Sequence, residues 1–408
     1  MGIVVMKFGG NSVADADKIR ACAQRAIRTR QAGHQVAVVV SAMGDTTDDL
    51  IKLAKQITAN PPKREMDQLL ATGEQITIAL FAMALEEMGQ PAISLTAGQI
   101  GMVTDAVHMK ARIKRIDVDK MHKELDAGKI VIVAGFQGVT EDGAVTTLGR
   151  GGSNVTLVAI AAALKAEVCE NYTDVDGIFT SDPRIVPNAR KVDVMSYDEM
   201  LELASLGAAV LHNRAVEFAK KYNVAIHVRS SLNENKGTMI VAETPDMERI
   251  VVSGAALKEK LVRFTLKNVP DRPGTAARVF ATLAQANIVV DDIIQTEGSN
   301  KTATISFTVD LTDQAETQKI CQHLCTEMDG MTCETQEDLA KVSVVGVGMR
   351  VHTGVAERMF TALAKEGINI RNITTSEIRI SCLIDRSQGR MALQLVHDAF
   401  ELGKPRKK

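Results

Sequence analysis

Along roughly the first 245 residues, short apolar and β-branched runs alternate with longer stretches in which apolar positions recur every three to four residues. The short runs predict strands at 3–8 (IVVMKF), 36–42 (VAVVVSA), 92–96 (AISLT), 130–136 (IVIVAGF), 167–173 (EVCENYT) and 225–230 (AIHVRS). The helical spacing covers 13–31, 48–57, 66–88, 117–126, 154–165, 196–204 and 207–222. The strand runs are apolar throughout rather than alternating, as a sheet covered on both faces requires, so the pattern predicts an α/β domain with a largely parallel sheet.

Past "SLNENKGTMI" the pattern changes to an internal repeat with an offset of 80 residues. "PGTAARVFATLAQANIVVDDIIQTE" (273–297) aligns with "TGVAERMFTALAKEGINIRNITTSE" (353–377). Each copy reads as strand, glycine loop, helix, two strands and a second helix, a β-α-β-β-α-β pattern. The second copy ends on a helix with no further strand. The orphan apolar segment 249–258 (RIVVSGAALK) is expected to complete its sheet, which interlocks the two copies.

The chain has 408 residues, 45% hydrophobic and 24% charged, with a net charge of −2. That composition fits a globular protein of two or three domains and gives no electrostatic reason to expect nucleic acid or an anionic membrane as partner. The apolar runs fall short of a membrane span. Six cysteines show no CxxC pairing, and the N-terminus enters a strand with no leader pattern, so reduced thiols and a cytoplasmic location are expected.

Candidate chemistry gathers in loops that follow predicted strands. In "KFGGNS" (7–12), Gly9 and Gly10 let backbone amides approach an anion, Ser12 can cap the next helix, and Lys7 ends the strand as a charge for phosphoryl oxygens. The spacing is neither that of a P-loop nor that of a GxGxxG dinucleotide turn. "SAMGDTTDDL" (41–50) repeats the design, and Thr47 is a candidate contact by its company. Glu74 in "ATGEQ" sits within an apolar helical stretch, beside a glycine. "TLGRGGSNVT" (147–156) is a third glycine loop, in which Arg150 can grip a carboxylate and Ser153 opens a helix. "YTDVDGIFTSDPR" (172–184) reads as a nucleotide-binding hairpin; it lacks the glutamate that would complete a calcium loop, and Arg184 and Lys236 can reach phosphates. Neither a catalytic histidine nor a metal-ligand spacing is visible. Lysine, amides and glycine loops at strand ends suit phosphoryl transfer.

In order along the chain, "KFGGNSV", "VVVSAMGDTTD", "TGEQ", "AGFQG", "TLGRGGS", "YTDVDGIFTSDPRIVPNAR", "EMLELASLGAAVLHNRAVEFAKKYNV" and "HVRSS" resemble the motifs of the aspartate kinases, and the C-terminal repeats resemble ACT domains. The resemblance implies an amino-acid kinase (carbamate kinase-like) fold over 1–245, with interlocked ferredoxin-like ACT domains at 263–340 and at 249–258 plus 341–403. It also implies ATP- and Mg²⁺-dependent phosphorylation of the side chain of L-aspartate, the first step toward lysine, threonine and methionine, under feedback by lysine and/or threonine.

On matching positions, Lys7 would stabilise the transferring phosphoryl group. Thr47, Glu74, Phe136, Arg150 and Ser153 would surround the amino acid. Gly9, Gly10, Ser12, Thr173, Asp174, Phe179, Arg184 and Lys236 would lie along the nucleotide. Asp271, Asn287, Gln295, Asn369 and Ile370 would contact the effector between subunits of a homodimer or larger assembly. Three positions depart from the family: Asn11 stands for a usual threonine, Phe179 for a tyrosine, and Asn154 for an aspartate regarded as catalytic or substrate-orienting. "DDIIQTEG" also departs from the common "MIVQN". These departures leave open a kinase of another amino acid, or an amino-acid-sensing subunit with weakened turnover.

Overall fold

The computed structural model describes residues 2–207, 210–242, 251–298, 301–328, 330–350 and 352–404. The chain divides into two compact units, Met1–Phe179 with Lys191–Met247, and Thr180–Arg190 with Glu248–Lys408.

The first unit runs β1 (Ile3–Phe8), α1 (Ala16–Gln31), β2 (Gln35–Val40), α2 (Thr46–Ile57), α3 (Lys63–Glu87), β3 (Ala92–Leu95), β4 (Val103–Thr104), β5 (Ile113–Arg115), α4 (Asp119–Asp126) and β6 (Ile130–Ala134). It continues through β7 (Gln137–Val139), β8 (Val145–Thr147), α5 (Gly152–Ala163), β9 (Val168–Thr173), β10 (Val194–Ser196), α6 (Tyr197–Ser205), α7 (Asn213–Tyr222), β11 (Ile226–Ser230) and β12 (Thr238–Val241). Among the described residues, eight strands form one sheet in the order β10-β12-β11-β9-β1-β2-β6-β3, parallel except where β11 meets β12. β1, β2 and β6 are buried almost end to end, which is why their runs carry no alternation. Phe8 stacks between Phe81 of α3 and Tyr172 of β9, and with Ile19, Cys22 and Leu85 they form the core on one face. α5 packs on β1, β2 and β9.

Several expectations are corrected. A four-stranded sheet, β5-β4-β7-β8, was not foreseen because its strands are two or three residues long. The expected helix 207–222 includes residues 208–209, outside the described ones, and α7 begins only at Asn213, where extended His212 caps it. No hairpin forms within 172–184: the chain leaves β9 through bends, and Phe179 bridges Lys191 instead. α3 is long and apolar enough to cross a membrane by length and composition, contrary to what the apolar runs suggest, but its Ile78, Phe81 and Leu85 belong to the protein core.

The second unit contains β13 (Gly254–Pro270), α8 (Thr275–Gln285), β14 (Asp291–Glu297), β15 (Thr302–Asp310), α9 (Gln314–Glu327), β16 (Thr332–Val345), α10 (Val355–Lys365), β17 (Asn372–Thr375), β18 (Arg379–Asp385) and α11 (Gly389–Ala399). Its antiparallel sheet has the order β14-β15-β13-β16-β18-β17. One long strand serves both repeats. Gly254–Lys258 pairs with Lys341–Val345 of the second copy, and after a register break Leu261–Pro270 pairs with β15 of the first. Residues 249–250 of the orphan segment lie outside the described residues.

Thr180–Arg190, expected in the catalytic part, belongs to this second unit. The Ala255 N–H donates to the Thr180 carbonyl at 2.8 Å, and Thr180 Oγ1 lies 3.0 Å from His397 Nε2. Val186 is buried with Leu393 and Val396, and Gln394 Nε2 donates to the Ile185 carbonyl at 2.7 Å.

Candidate active site

The site of the first unit is built where β1, β2 and β6 end and α5 begins. Lys7, the penultimate residue of β1, is in register with Val39 on one side and Asn171 on the other. Its Nζ lies 3.3 Å from where a Cβ on Gly9 would stand, so the side chain runs forward along the strand toward the glycine turn. Lys7 is 8% exposed, and burial pulls its ammonium down to about 8, with nearby Asp174 acting in the opposite sense.

Asn11 Nδ2 and Thr173 Oγ1 hold Asp174 at 3.1 and 3.0 Å, and these bonds, the one from Asn11 foremost, keep its carboxyl below the usual range. The Asn11 amide thus steers the carboxylate that acts on the lysine. Ser12 is buried, and its hydroxyl donates to Ser231 Oγ at 2.8 Å, which in turn bonds the Thr173 carbonyl. The Gly9 N–H is bound to the Tyr172 carbonyl, while Gly10 opens a short 3₁₀ turn.

Opposite the end of β2, Glu74 of α3 accepts the Ala42 N–H at 3.1 Å through Oε1. Its Oε2 is buried with no partner, and burial pushes the carboxyl up to about 8. A Cβ on Gly73 would stand 2.8 Å from the Ala42 Cβ, so the glycine inside this helix is what lets α3 close on the loop. Thr47 lies in the first turn of α2, half-buried.

The third loop places Ser153 against Gly135, at the end of β6, and Thr156 Oγ1 accepts the Phe136 N–H at 3.1 Å. That bond fixes Phe136 in a left-handed conformation, φ 69°. Gly151 caps α5, Arg150 is exposed beside it, and Asn154 Oδ1 is buried without a partner. The first turn of α5 lies at the positive end of its helix dipole, with the Gly152 and Asn154 N–H groups turned onto the Gly149 and Gly151 carbonyls at 2.9 Å.

Not every candidate joins this cluster. Lys236 is exposed in the loop before β12, its carbonyl 2.6 Å from His227 Nε2. Arg184 belongs to the second unit, where it forks onto Asp182. A cavity of about 480 Å³ lies on the other face of β1 and β9, beside α1. Its Arg25, Arg28 and Arg229 are engaged with Glu234 and Glu170, so it is an ion-pair network rather than the crevice at the strand ends. In the second unit, a cavity of about 360 Å³ is lined by Asp271 and Gln295, but not by Asn287, Asn369 or Ile370.

Three residues escaped the sequence reading. Asp67, fully buried, accepts Thr147 Oγ1 at 2.5 Å and the Met109 N–H at 3.1 Å, and lies 2.8 Å from His108 Nδ1, which ties down the start of the third loop. It stands seven residues before Glu74, hence on the same helix face, and that spacing was a readable signal. Arg214 holds the carbonyls of Leu148 and Ala111 at 2.7 and 2.6 Å. Asn171 is fully buried in β9, and neither of its amide atoms has a partner.

A chain that sets lysine, buried carboxyl and helix N-terminus around parallel strand ends, and continues in sequence into a paired repeat, belongs to a recognisable class. Residues 2–230 match the model of the amino acid kinase family, and residues 264–324 and 342–400 match ACT domains. Aspartokinase 2 of Bacillus subtilis is 51% identical over 99% of both chains. E. coli aspartokinase III in complex with aspartate and ADP, in its R-state, superposes with a TM-score of 0.84 at 27% identity, covering 97% of this chain and 99% of its own. The same enzyme with lysine and aspartate, in its T-state, gives 0.76 at 27% identity over 98% and 99%. The chain is an amino acid kinase with two ACT domains, and within that class it belongs to the aspartokinases.

Proposed function

We propose that this aspartate kinase transfers the γ-phosphoryl group of ATP to the side-chain carboxylate of L-aspartate, giving 4-phospho-L-aspartate and ADP. The observation that carries the reading is the pairing of a buried Lys7 at the end of β1 with a buried Glu74 whose second oxygen is unpartnered. An amino-acid ammonium would supply the missing partner of Glu74. Arg150 would take the α-carboxylate as a two-pronged ligand. Thr47, Phe136 and Ser153 would bound the side chain, leaving its carboxylate to face Lys7.

An aspartate oxygen attacks the γ-phosphorus in line with the departing ADP oxygen, and negative charge spreads over the transferred group. Lys7 and the positive end of the α5 dipole would meet that charge without rearranging. Gly9, Gly10, Ser12, Thr173, Asp174 and Phe179 would flank the nucleotide. Among the described residues no cluster of three or more metal-ligating side chains occurs, and Asp174 is the carboxylate beside Lys7. That donor set fits a Mg²⁺ ion carried mainly by the phosphates, shielding their charge.

We further infer that the ACT unit binds an amino-acid effector, lysine and/or threonine, and that it does so in a homodimer or larger assembly. E. coli aspartokinase III was solved with lysine, and the cavity at Asp271 and Gln295 offers a carboxylate and an amide to such a ligand. Feedback on the first step toward lysine, threonine and methionine follows from that reading. Six unpaired cysteines suit a reducing, cytoplasmic setting.

A hydroxamate assay for acyl phosphate, run with L-aspartate against other amino acids, tests the assignment. Hydroxamate formed with aspartate is the expected result. Turnover with another amino acid alone would move the substrate assignment, and the uncharged Asn154 would be the first place to look. An absence of turnover with all of them, with lysine or threonine still raising the melting temperature, would make the chain a sensing subunit.

A further inference from the structure

The side chain least explained by packing is Asn171. It is 0% exposed, and both Oδ1 and Nδ2 lack partners. Its place in the sheet narrows what it can serve. Strand side chains alternate between faces, and Phe8 and Tyr172 stack on the α1–α3 face. Lys7 and Asn171, their immediate predecessors and register partners, therefore stand side by side on the other face, over which α5 packs. The neighbour of Asn171 across β11 is Val228, and two positions back on its own strand is Cys169, whose thiol burial keeps neutral. Of the side chains in register with the amide, only that of Lys7 is polar. Adjacent strands lie about 4.8 Å apart, so the amide and the lysine stem are in contact range.

A buried amide without a partner opposes folding. An apolar residue of equal size would suit this apolar face better, and local rules broken without structural gain mark functional positions.

We propose that Asn171 is a positioning residue for phosphoryl transfer, its amide steering the Lys7 ammonium and holding it charged as the transferred group moves past. The inference rests on the assignment of Lys7 to the reaction. Asp174 is the charged group that favours the ammonium form of Lys7, and the Asn171 carbonyl, brought onto that ammonium during transfer, would act in the same sense. β2 and α5, the other elements packed on this face of β1, contain no titratable residue. No other polar group within β1, β2 or β9 is placed to do the same from below the lysine.

The test compares wild type, Asn171→Leu and Asn171→Asp. It follows kcat and KM for ATP with aspartate between pH 6 and 9.5, together with melting temperature. Wild-type turnover checks the underlying assignment, and the variant-to-wild-type ratios check this one. Asn171→Leu is expected to melt at or above the wild-type temperature, to lose tenfold or more in kcat with KM for ATP changed less than threefold, and to move the alkaline limb to lower pH. Asn171→Asp, which places a carboxylate beside the ammonium, is expected to move that limb to higher pH. Unchanged kcat and pH profile in Asn171→Leu would overturn the proposal. So would a loss of activity that tracks a lower melting temperature, with no opposite displacement of the limb in the two variants.

Discussion

Replacing Glu74 by glutamine separates the cost of a buried carboxyl from its use. The carboxyl ionises near 4.5 in an unfolded chain and near 8 in the folded one. Between these values the unfolded chain has lost a proton that the folded protein keeps, so this group withdraws stability as pH rises. The full withdrawal corresponds to about 5 kcal/mol once pH exceeds 8. Glutamine has no charge to lose, and its side-chain oxygen can still accept the Ala42 N–H that Glu74 now accepts at 3.1 Å.

Glu74→Gln should therefore match wild type at pH 5 and outlast it increasingly up to pH 8.5, with an upper limit of roughly 10 °C in melting temperature. Function should move the other way. On the proposed reading, a bound ammonium would give the orphaned oxygen its partner and draw the carboxyl back to its charged form. KM for L-aspartate should then fall in wild type from pH 6 to 8, with a proton released on binding. In the variant KM should be pH-independent over this range and higher by ten- to a hundredfold, the value of a charge-assisted bond at about 1.5–3 kcal/mol. Thermal melts from pH 5 to 9 and steady-state KM over the same range provide the two readouts. A melting gap that stays constant with pH, or a KM that the substitution leaves alone, would refute the reasoning.

Other substitutions reach the remaining parts of the site. Asn154→Asp puts a charge on a side-chain oxygen that is buried without a partner, and kcat/KM for aspartate should rise by up to about a hundredfold; an unchanged value means the charge is not used here. On the proposed role of Lys7 as an ammonium, which burial draws down to about 8, kcat should decline above that pH. Lys7→Arg, charged throughout, should show a lower kcat without the decline in the same profile. Gly135→Ala sets a Cβ 2.8 Å from Ser153 Oγ and 2.9 Å from the Val40 carbonyl, and should cost about 1–3 kcal/mol and raise KM for aspartate, read by thermal melting and kinetics.

What could be read beforehand was what repeats or runs long. The strands around Lys7 are uniformly apolar, so they stood out, and the offset of the repeats exposed the shared strand of the second unit. The glycine loops marked Lys7, Ser153 and Asn154 because each follows or precedes a long element. The short strands β4, β5, β7 and β8 carry too few residues for any period, and they form because Asp67 and Arg214 hold the loops between them from elsewhere in the chain. Such bonds join residues 80 or 103 positions apart, and no local pattern encodes them. Asn171 was hidden for a different reason: within "VCENYT" it is one polar letter in a strand, and only the register with Lys7 gives it meaning.

The eleven residues Thr180–Arg190 leave the kinase sequence, fold into the other unit, and return. The protein is therefore not divisible by a single cut. A kinase half ending near residue 247 would carry a tongue bearing Val186 with nothing to cover it. A regulatory half beginning there would lack the segment that pairs with Ala255 and His397. Exchange of regulatory halves between relatives, by recombination or at the bench, has to move two stretches of sequence together. A chimera that swaps 180–190 along with the C-terminal half should fold where one joined only at 247 fails.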